Sequence, residues 1–284
     1  MGVNVVFLTG SELRHSFVRK AIAISHGVCV TASYCEGAEK SIRRIVEADA
    51  PAADSLRMRH LAARDRSEQD FFGAFVALAP DRSAPTFIAK GEINEPKHAE
   101  EISALHPDLL ACYGSSLIRA PLLSRFEGRF VNIHLGLSPY YRGSGTNFWP
   151  LVRGEPEFVG ATFMHIDAGI DTGKIIHQIR ARIFPGDTAH QIGNRLIADM
   201  ALVYADIIRK FSILPDMPQL EEPPDVRVYR QKDFTEESSR MLAQRFDDGL
   251  VDQYLADAER RTLRVPIVEN PAVSSIEQLM GGPT

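Results

Sequence analysis

The side chains best suited to chemistry crowd into one stretch, Phe130 to Gln178. Phe130-Val131-Asn132-Ile133-His134 alternates in the manner of a strand whose Asn132 and His134 share a face. A carboxamide and an imidazole can therefore converge on one spot. A second short strand is expected over Thr162 to Ile166. It runs into Asp167-Ala168-Gly169-Ile170-Asp171-Thr172-Gly173, a loop whose glycines suit positive φ. If the two strands are neighbours, Asp171 at the loop tip reaches His134. The three then offer a hydrogen-bond donor, a group that exchanges protons near neutral pH, and a carboxylate that orients that group and favours its charged form.

Plainer readings exist for each. Asn132 could satisfy backbone groups at a strand end, His134 could be a hydrogen-bonded core residue, and Asp171 could make a turn. Asp167, four residues earlier, is a rival carboxylate. His165 and His177 flank the loop without a paired-ligand spacing such as H-E-x-x-H, so no metal is expected. Tyr140, Tyr141, Arg142, Asn147, Phe148 and Trp149 follow with Gly143 and Gly145, a composition that suits a ligand-framing loop. Tyr141, Arg142 and Trp149 are the candidate substrate contacts there, by ring stacking or, for Arg142, by holding the loop or an acceptor phosphate. Ordinary packing is the equal alternative for Phe148 and Trp149.

The elements that must position these groups read as an α/β fold. Val3 to Leu8 is a buried-strand run, Leu13 and Phe17 open a helix that closes at His26-Gly27, and Val28 to Ala32 is a second strand. This β-α-β start predicts a doubly wound, mostly parallel twisted sheet. Gly10 stands alone, without the G-x-G-x-x-G of a dinucleotide site. Helices are expected over Ala38 to Ala50, Ser67 to Leu78 and Lys97 to Leu105, and from Thr188 to about Phe211 with Ile192, Leu196, Met200, Val203, Ile207 and Phe211 on one face. Leu109 to Tyr113 is the next buried strand, followed by a helix through Leu117, Leu122 and Leu123. The turn after that strand, the end of the Asn132 strand and the Asp171 loop should meet beyond the carboxyl ends of the sheet. The basic stretch Arg57 to Arg66 is either a solvated face or a contact for acceptor phosphates. Residues 1–214 read as a catalytic domain, 215–224 as a Pro/Glu linker and 225–284 as a small α+β extension with a short strand at Arg227 to Arg230 and a helix capped by Thr235. The tail from Pro271 to Thr284 reads as loose.

Composition narrows the partners. The net charge of −5 speaks against gripping a nucleic-acid backbone. Residues 225–284 carry eight Lys/Arg against eleven Asp/Glu, a poor match for tRNA. No run approaches the ~18–20 apolar residues of a membrane span, and no signal peptide is apparent. Cys29, Cys35 and Cys112, an odd number without metal spacing, fit a reduced, cytoplasmic setting.

N-x-H, then S-P-Y-Y-R-G, then D-A-G-I-D-T-G, in this order and at this separation, resembles the 10-formyltetrahydrofolate-dependent formyltransferases. That family includes the enzymes acting on glycinamide ribonucleotide, methionyl-tRNA and amino sugars. The likeness is strongest from Leu109 to Gln178 and extends from Met1 to Ser212. Leu135, Gly136 and Ser138 depart from the family's usual N-x-H-P-S-L-L-P, on the side that shapes the acceptor. The resemblance implies formyl transfer from 10-formyltetrahydrofolate, as cosubstrate, to an amine. Asn132, His134 and Asp171 would be catalytic: Asn132 and protonated His134 would donate to the oxyanion, His134 would carry the proton, and Asp171 would hold it. It also implies a pterin lying against Tyr113, Gly114, Ser115, Ser116 and Leu117 and against Asp167, Ala168, Gly169 and Ile170. The loop variant and the C-terminal piece look closest to the bacterial sugar N-formyltransferases, so a nucleotide-linked amino sugar is the expected acceptor, and a homodimer is a possible state. A 10-formyltetrahydrofolate hydrolase, a formyltransferase for another small amine, and a silent folate-binding protein are the alternatives.

Overall fold

Alternation within each apolar run decides which layer a side chain joins. The computed structural model describes residues 2–49, 52, 54–224 and 226–281. Its first strand, β1 (Val3–Gly10), sends Val5 and Phe7 to one face and Val6 and Leu8 to the other, all fully buried. There follow α1 (Leu13–Ile24), β2 (Val28–Glu36), α2 (Ile42–Ala48), α3 (Leu56–Leu78), β3 (Pro85–Ile88), α4 (Pro96–Ala104), β4 (Leu109–Tyr113) and α5 (Leu122–Arg125). Next come β5 (Phe130–His134), β6 (Tyr141–Gly143), α6 (Trp149–Arg153), β7 (Gly160–Met164), β8 (Ile175–Arg180) and α7 (Ala189–Lys210). The chain closes with β9 (Arg227–Tyr229), α8 (Glu236–Asp247), α9 (Leu250–Leu255), α10 (Ala258–Leu263) and α11 (Ile276–Leu279).

The main sheet runs β3-β2-β1-β4-β5-β7-β8. Its first five strands are parallel, β7 runs against them, and β8, paired antiparallel to β7, runs with them again, so the expected doubly wound, mostly parallel α/β architecture is the observed one. Val18 and Ile22 of α1, Phe72 of α3 and the apolar stripe of α7 cover one face; Ala99 and Ile102 of α4 with Leu122 and Phe126 cover the other. Most of the α7 stripe is where the spacing predicted it: Ile192, Leu196, Met200, Val203 and Ile207 are fully buried, whereas Phe211 falls just past the helix end and is only partly buried. Tyr204, also on α7, donates its hydroxyl to Val131 O at 2.6 Å and accepts from Cys112 N at 2.9 Å, tying β4 to β5.

Several boundaries differ from the sequence reading. The helix expected to start at Ser67 starts at Leu56. Ser55 accepts from Met58 N at 3.3 Å, and the distant Glu236 carboxylate accepts the Leu56 and Arg57 N–H groups at 2.7 and 3.2 Å. The helix expected over 38–50 shrinks to α2, and Ala50 lies outside the described residues. The chain after Gly114 forms no regular element until the single turn of α5, in place of the helix expected through Leu117. The stretch beyond Pro271 is anchored: Lys210 Nζ donates to Ala272 O at 2.9 Å and Ser274 Oγ at 3.0 Å, and α11 follows, with 282–284 outside the described residues. The strand expected near Arg227 is β9. It pairs in parallel with β6, the two forming a separate small sheet.

Candidate active site

Strand order reverses at β1, whose neighbours are β2 and β4. Beyond the carboxyl ends of β1, β4 and β5, where such sheets bind ligands, opens a cleft of about 640 Å³. Asn132 and His134 line it from β5, and Asp171 from the loop between β7 and β8. His134 Nδ1 lies 3.3 Å from Asp171 Oδ2, with the ring 6 % and the carboxylate 16 % exposed. His134 Nε2 lies 3.0 Å from the Tyr141 carbonyl oxygen. A carbonyl oxygen only accepts, so Nε2 carries a proton; a second proton on Nδ1 would satisfy the carboxylate too. The second oxygen contact of Asp171 comes from Gly143 N–H at 3.0 Å. Asp171 reaches this position with φ +52°, a left-handed conformation that Asp tolerates better than most residues. The Asn132 side chain has no hydrogen-bond partner among the described residues, leaving its amide free to face the cleft.

Two glycines make this packing possible. A Cβ on Gly136 would lie 2.6 Å from His134 Nε2 and from Thr146 Cβ. With no side chain at Gly136, the chain backs directly onto the ring. A Cβ on Gly143, whose φ is +90°, would lie 2.1 Å from Tyr229 O.

The cleft floor is ionic and self-compensated. Arg14 Nη1 donates to Glu68 Oε1 at 2.9 Å and Arg14 Nη2 to Glu12. Arg64 stands 3.8 Å from Glu12 Oε1 and 3.6 Å from Glu68 Oε1. Burial works against the Arg14 charge, but Glu68 and Glu12 beside it hold the guanidinium protonated more firmly than usual. His15 accepts the Glu12 N–H at 3.2 Å and stays neutral, pushed well down by burial and then by the Arg14 charge. The nearby turn after β4 is clamped from outside: the buried Glu36 carboxylate accepts the N–H groups of Ser116 and of Gly91 (2.7 Å) and sits 3.2 Å from Lys90 Nζ. Asn94 adds contacts to Leu117 O at 3.0 Å and Arg119 N at 2.7 Å.

The opposite wall is aromatic and uncharged. His60 packs on His190 with ring centroids 4.5 Å apart, on Phe148 at 5.2 Å and on Phe234 at 5.6 Å. Burial pushes His60 down to about 3, helped by His190, and pushes His190 down to about 4. Both rings are therefore neutral near pH 7.

The residues singled out from sequence divide clearly. Asn132, His134 and Asp171 share the cleft with Tyr113, Gly114, Ser115, Ser116 and Trp149. Leu117 and Asp167 to Ile170 are absent from its lining; Asp167 Oδ1 accepts Gly169 N–H at 2.9 Å and Thr172 Oγ1 at 2.8 Å, which closes its own loop. The expected substrate contact at Tyr141 is corrected: its ring is fully buried between Tyr229 and Phe158 and only its carbonyl reaches the site. Arg142 also turns away, to Glu222 at 2.9 Å, the loop-holding alternative rather than the phosphate one. Within the basic stretch, Arg57 pairs with Asp49 at 3.0 Å and Arg64 with the floor carboxylates, so only His60, Leu61 and Arg64 of it line the cleft. Sequence reading missed Glu36, Arg14, Glu68, His190 and Phe234. Glu36 alone left a trace, a carboxylate at the carboxyl end of an apolar strand; Arg14, Glu68 and His190 come from helix faces whose orientation only packing decides, and Phe234 from the turn that leads into α8.

The family model described as "Formyl transferase" matches residues 3–207. Among solved structures, the phosphoribosylglycinamide formyltransferase of Anaplasma phagocytophilum is 16 % identical with a TM-score of 0.53, over 81 % of this chain and all of that one. A sugar N-formyltransferase from a Shewanella species is 16 % identical with a TM-score of 0.53, over 86 % of this chain and 87 % of that one. The glycinamide ribonucleotide transformylase 1 of Symbiobacterium toebii is 19 % identical with a TM-score of 0.50, over 80 % and 94 %. At these identities the likeness is one of fold.

Proposed function

This chain belongs to the formyl transferase family, and from that membership we propose that it moves a formyl group from 10-formyltetrahydrofolate to the amine of a nucleotide-linked amino sugar. The observation that carries the reading is the 3.3 Å approach of His134 Nδ1 to Asp171 beside the unengaged Asn132 amide, in one cleft. The amine attacks the formyl carbon, a carbon–nitrogen bond forms, and the carbonyl oxygen gains charge. Asn132 N–H₂ meets that charge; a donor of this kind is worth roughly 10²–10³ in rate. His134, held between the Asp171 carboxylate and the Tyr141 carbonyl, adds its positive charge. As the bond to the folate nitrogen breaks, the ring leaves the Tyr141 carbonyl and its Nε2 passes a proton to that nitrogen. The proton shed by the amine returns to the ring. No side-chain nucleophile is needed.

The donor lies against the backbone of Tyr113 to Ser116, a segment that Glu36 holds at the Ser116 N–H and that Asn94 secures just beyond, at Leu117 O. The acceptor faces the neutral rings of His60, Phe148, Trp149 and His190, which suit stacking by a base or sugar. The floor arginines are already neutralised, whereas Lys40 and Arg230 are exposed at the lining's edge, where phosphates of such an acceptor would sit.

The test incubates the protein with 10-formyltetrahydrofolate alone and then with a panel of amines that includes nucleoside-diphosphate amino sugars and glycinamide ribonucleotide. Tetrahydrofolate release that depends on a nucleotide-linked amino sugar is the expected result. Release without amine would indicate a hydrolase, release with glycinamide ribonucleotide alone would reassign the acceptor, and no release under any condition would indicate a binding protein.

A further inference from the structure

We propose that the C-terminal strand β9 positions the His134–Asp171 pair by holding β6, with Arg227 as the positioning residue; the inference rests on the catalytic reading of that pair. Two contacts that orient the pair both end on β6, three residues long: the Tyr141 carbonyl at His134 Nε2, 3.0 Å, and Gly143 N–H at Asp171 Oδ2, 3.0 Å. The strand β6 is not part of the main sheet. Its sheet partner is β9, some eighty residues later in the chain, in the register Tyr141 to Arg227, Arg142 to Val228 and Gly143 to Tyr229. Isolated three-residue strands have no stability of their own, so the position of β6 depends on what β9 does.

Four features lock the two strands. Ser144 N–H donates to Tyr229 O at 2.8 Å. The absent Cβ of Gly143 admits that carbonyl, since a methyl there would stand 2.1 Å from it. The Tyr229 ring lies parallel to Trp149 at 4.4 Å and to Tyr141 at 6.0 Å, so one stack runs from the cleft wall to the buried face of β6. Finally, Arg227 Nη1 donates to the Tyr141 hydroxyl at 2.6 Å and to the Glu155 carboxylate, which also accepts the Tyr141 hydroxyl. The guanidinium carbon lies 5.2 Å from the centre of the Tyr141 ring. A displacement of Arg227 therefore reaches Tyr141 through its side chain and His134 through its main chain. Misplacement of a reacting group by about 1 Å can cost roughly 10²-fold in rate.

The test compares the full chain with Arg227→Met, Arg227→Lys and Tyr141→Phe. In ¹⁵N-histidine-labelled protein without substrate, the His134 Nε2 proton should exchange slowly with water, because a buried carbonyl holds it. Arg227→Met should accelerate that exchange by at least tenfold, and Arg227→Lys, which keeps a cation for Glu155, should restore most of the protection. With 10-formyltetrahydrofolate and the best amine of the panel, kcat should fall roughly 10- to 100-fold in Arg227→Met while KM for both substrates stays within about threefold. Tyr141→Phe keeps the ring stack and deletes one hydroxyl, so it carries the test if Arg227→Met fails to fold, and it should show a smaller change of the same kind. Unchanged exchange in the variants that fold overturns the proposal, as does unchanged kcat. Because exchange is read without substrate, it decides the point even when no amine of the panel reacts. An active His134→Asn would instead overturn the catalytic reading itself.

Discussion

The two ends of the cleft treat charge in opposite ways. On the floor, Arg14, Glu12, Glu68 and Arg64 match one another within a few ångströms. At the reactive end the Asn132 amide has no protein partner among the described residues, and Asp171 is held in a left-handed backbone conformation. A group that must interact more strongly with the transition state than with the resting state cannot be fully satisfied beforehand. A group that must hold a wall in place gains from being so. The contrast separates residues that determine rate from residues that determine shape, and variants at each end should fail in different ways.

The largest effect is expected at the unengaged amide. Asn132→Ala should lower kcat by roughly 10²–10³, while the affinity for 10-formyltetrahydrofolate, measured by fluorescence titration, changes less than threefold. A variant with near-normal kcat would remove Asn132 from the oxyanion and erase the contrast. Glu68→Ala is the counterpart on the floor. It leaves Arg14 with Glu12 alone and Arg64 with Glu12 and Asp65, and should cost about 3 kcal/mol in urea denaturation, the lower end of the range for breaking a buried pair because carboxylates remain for both arginines. Its kcat, measured on folded protein, should stay within a few-fold of the parent; a collapse of kcat at unchanged stability would move Glu68 into the chemistry.

This division also marks what a reader of the chain could see. The sheet, the α7 stripe and the closeness of His134 to Asp171 follow from runs and spacings within single segments. The strand alternation at Asn132 and His134 placed both on one face, and the loop tip supplied the acid. What stayed invisible depends on segments far apart. The start of α3 is set by Glu236, 180 residues away, whose carboxylate caps it. The burial of Tyr141 is set by Tyr229 and Glu155, so an aromatic that looked like a ligand contact is core. Both ring nitrogens of His134 are occupied because a carbonyl seven residues on folds back over it. No local pattern encodes that return; it depends on β9.

The aromatic wall offers a third contrast, between charges that are paired and charges that are avoided. Burial holds His60 at about 3 and His190 at about 4, both below the ordinary 6.5. The folded protein then binds fewer protons than the unfolded chain at pH values between the two. Stability from these rings is complete above pH 6.5 and is lost as pH falls towards 4, by roughly 2 kcal/mol per ring at pH 5. His177, which burial also pushes down to about 4, adds to the same loss from outside the wall. The double variant His60→Phe, His190→Phe should therefore flatten the dependence of Tm on pH between 6.5 and 5 without abolishing it. Identical slopes in parent and variant would mean that the wall admits water and charges freely.

The smallest effect is the sharpest probe of the reactive end. Asp171→Asn suits the left-handed backbone as well as Asp does, and its side-chain oxygen can still accept from Gly143 N–H, so the loop keeps its shape. Only the charge facing His134 Nδ1 is removed. The Gly143 and His134 contacts both end on Oδ2, so the amide oxygen placed there still accepts from Gly143 N–H but no longer faces Nδ1 with a full charge. Removing a carboxylate 3.3 Å from an imidazole disfavours the charged ring. Asp171→Asn should consequently lower kcat by about tenfold, equivalent to about 1.4 kcal/mol, while KM for both substrates stays within about threefold. An unchanged kcat would show that Asp171 holds Gly143 and β6 but adds nothing to the charge at the ring. The acid would then belong with the shape-determining floor, and the reactive end would consist of Asn132 and His134 alone.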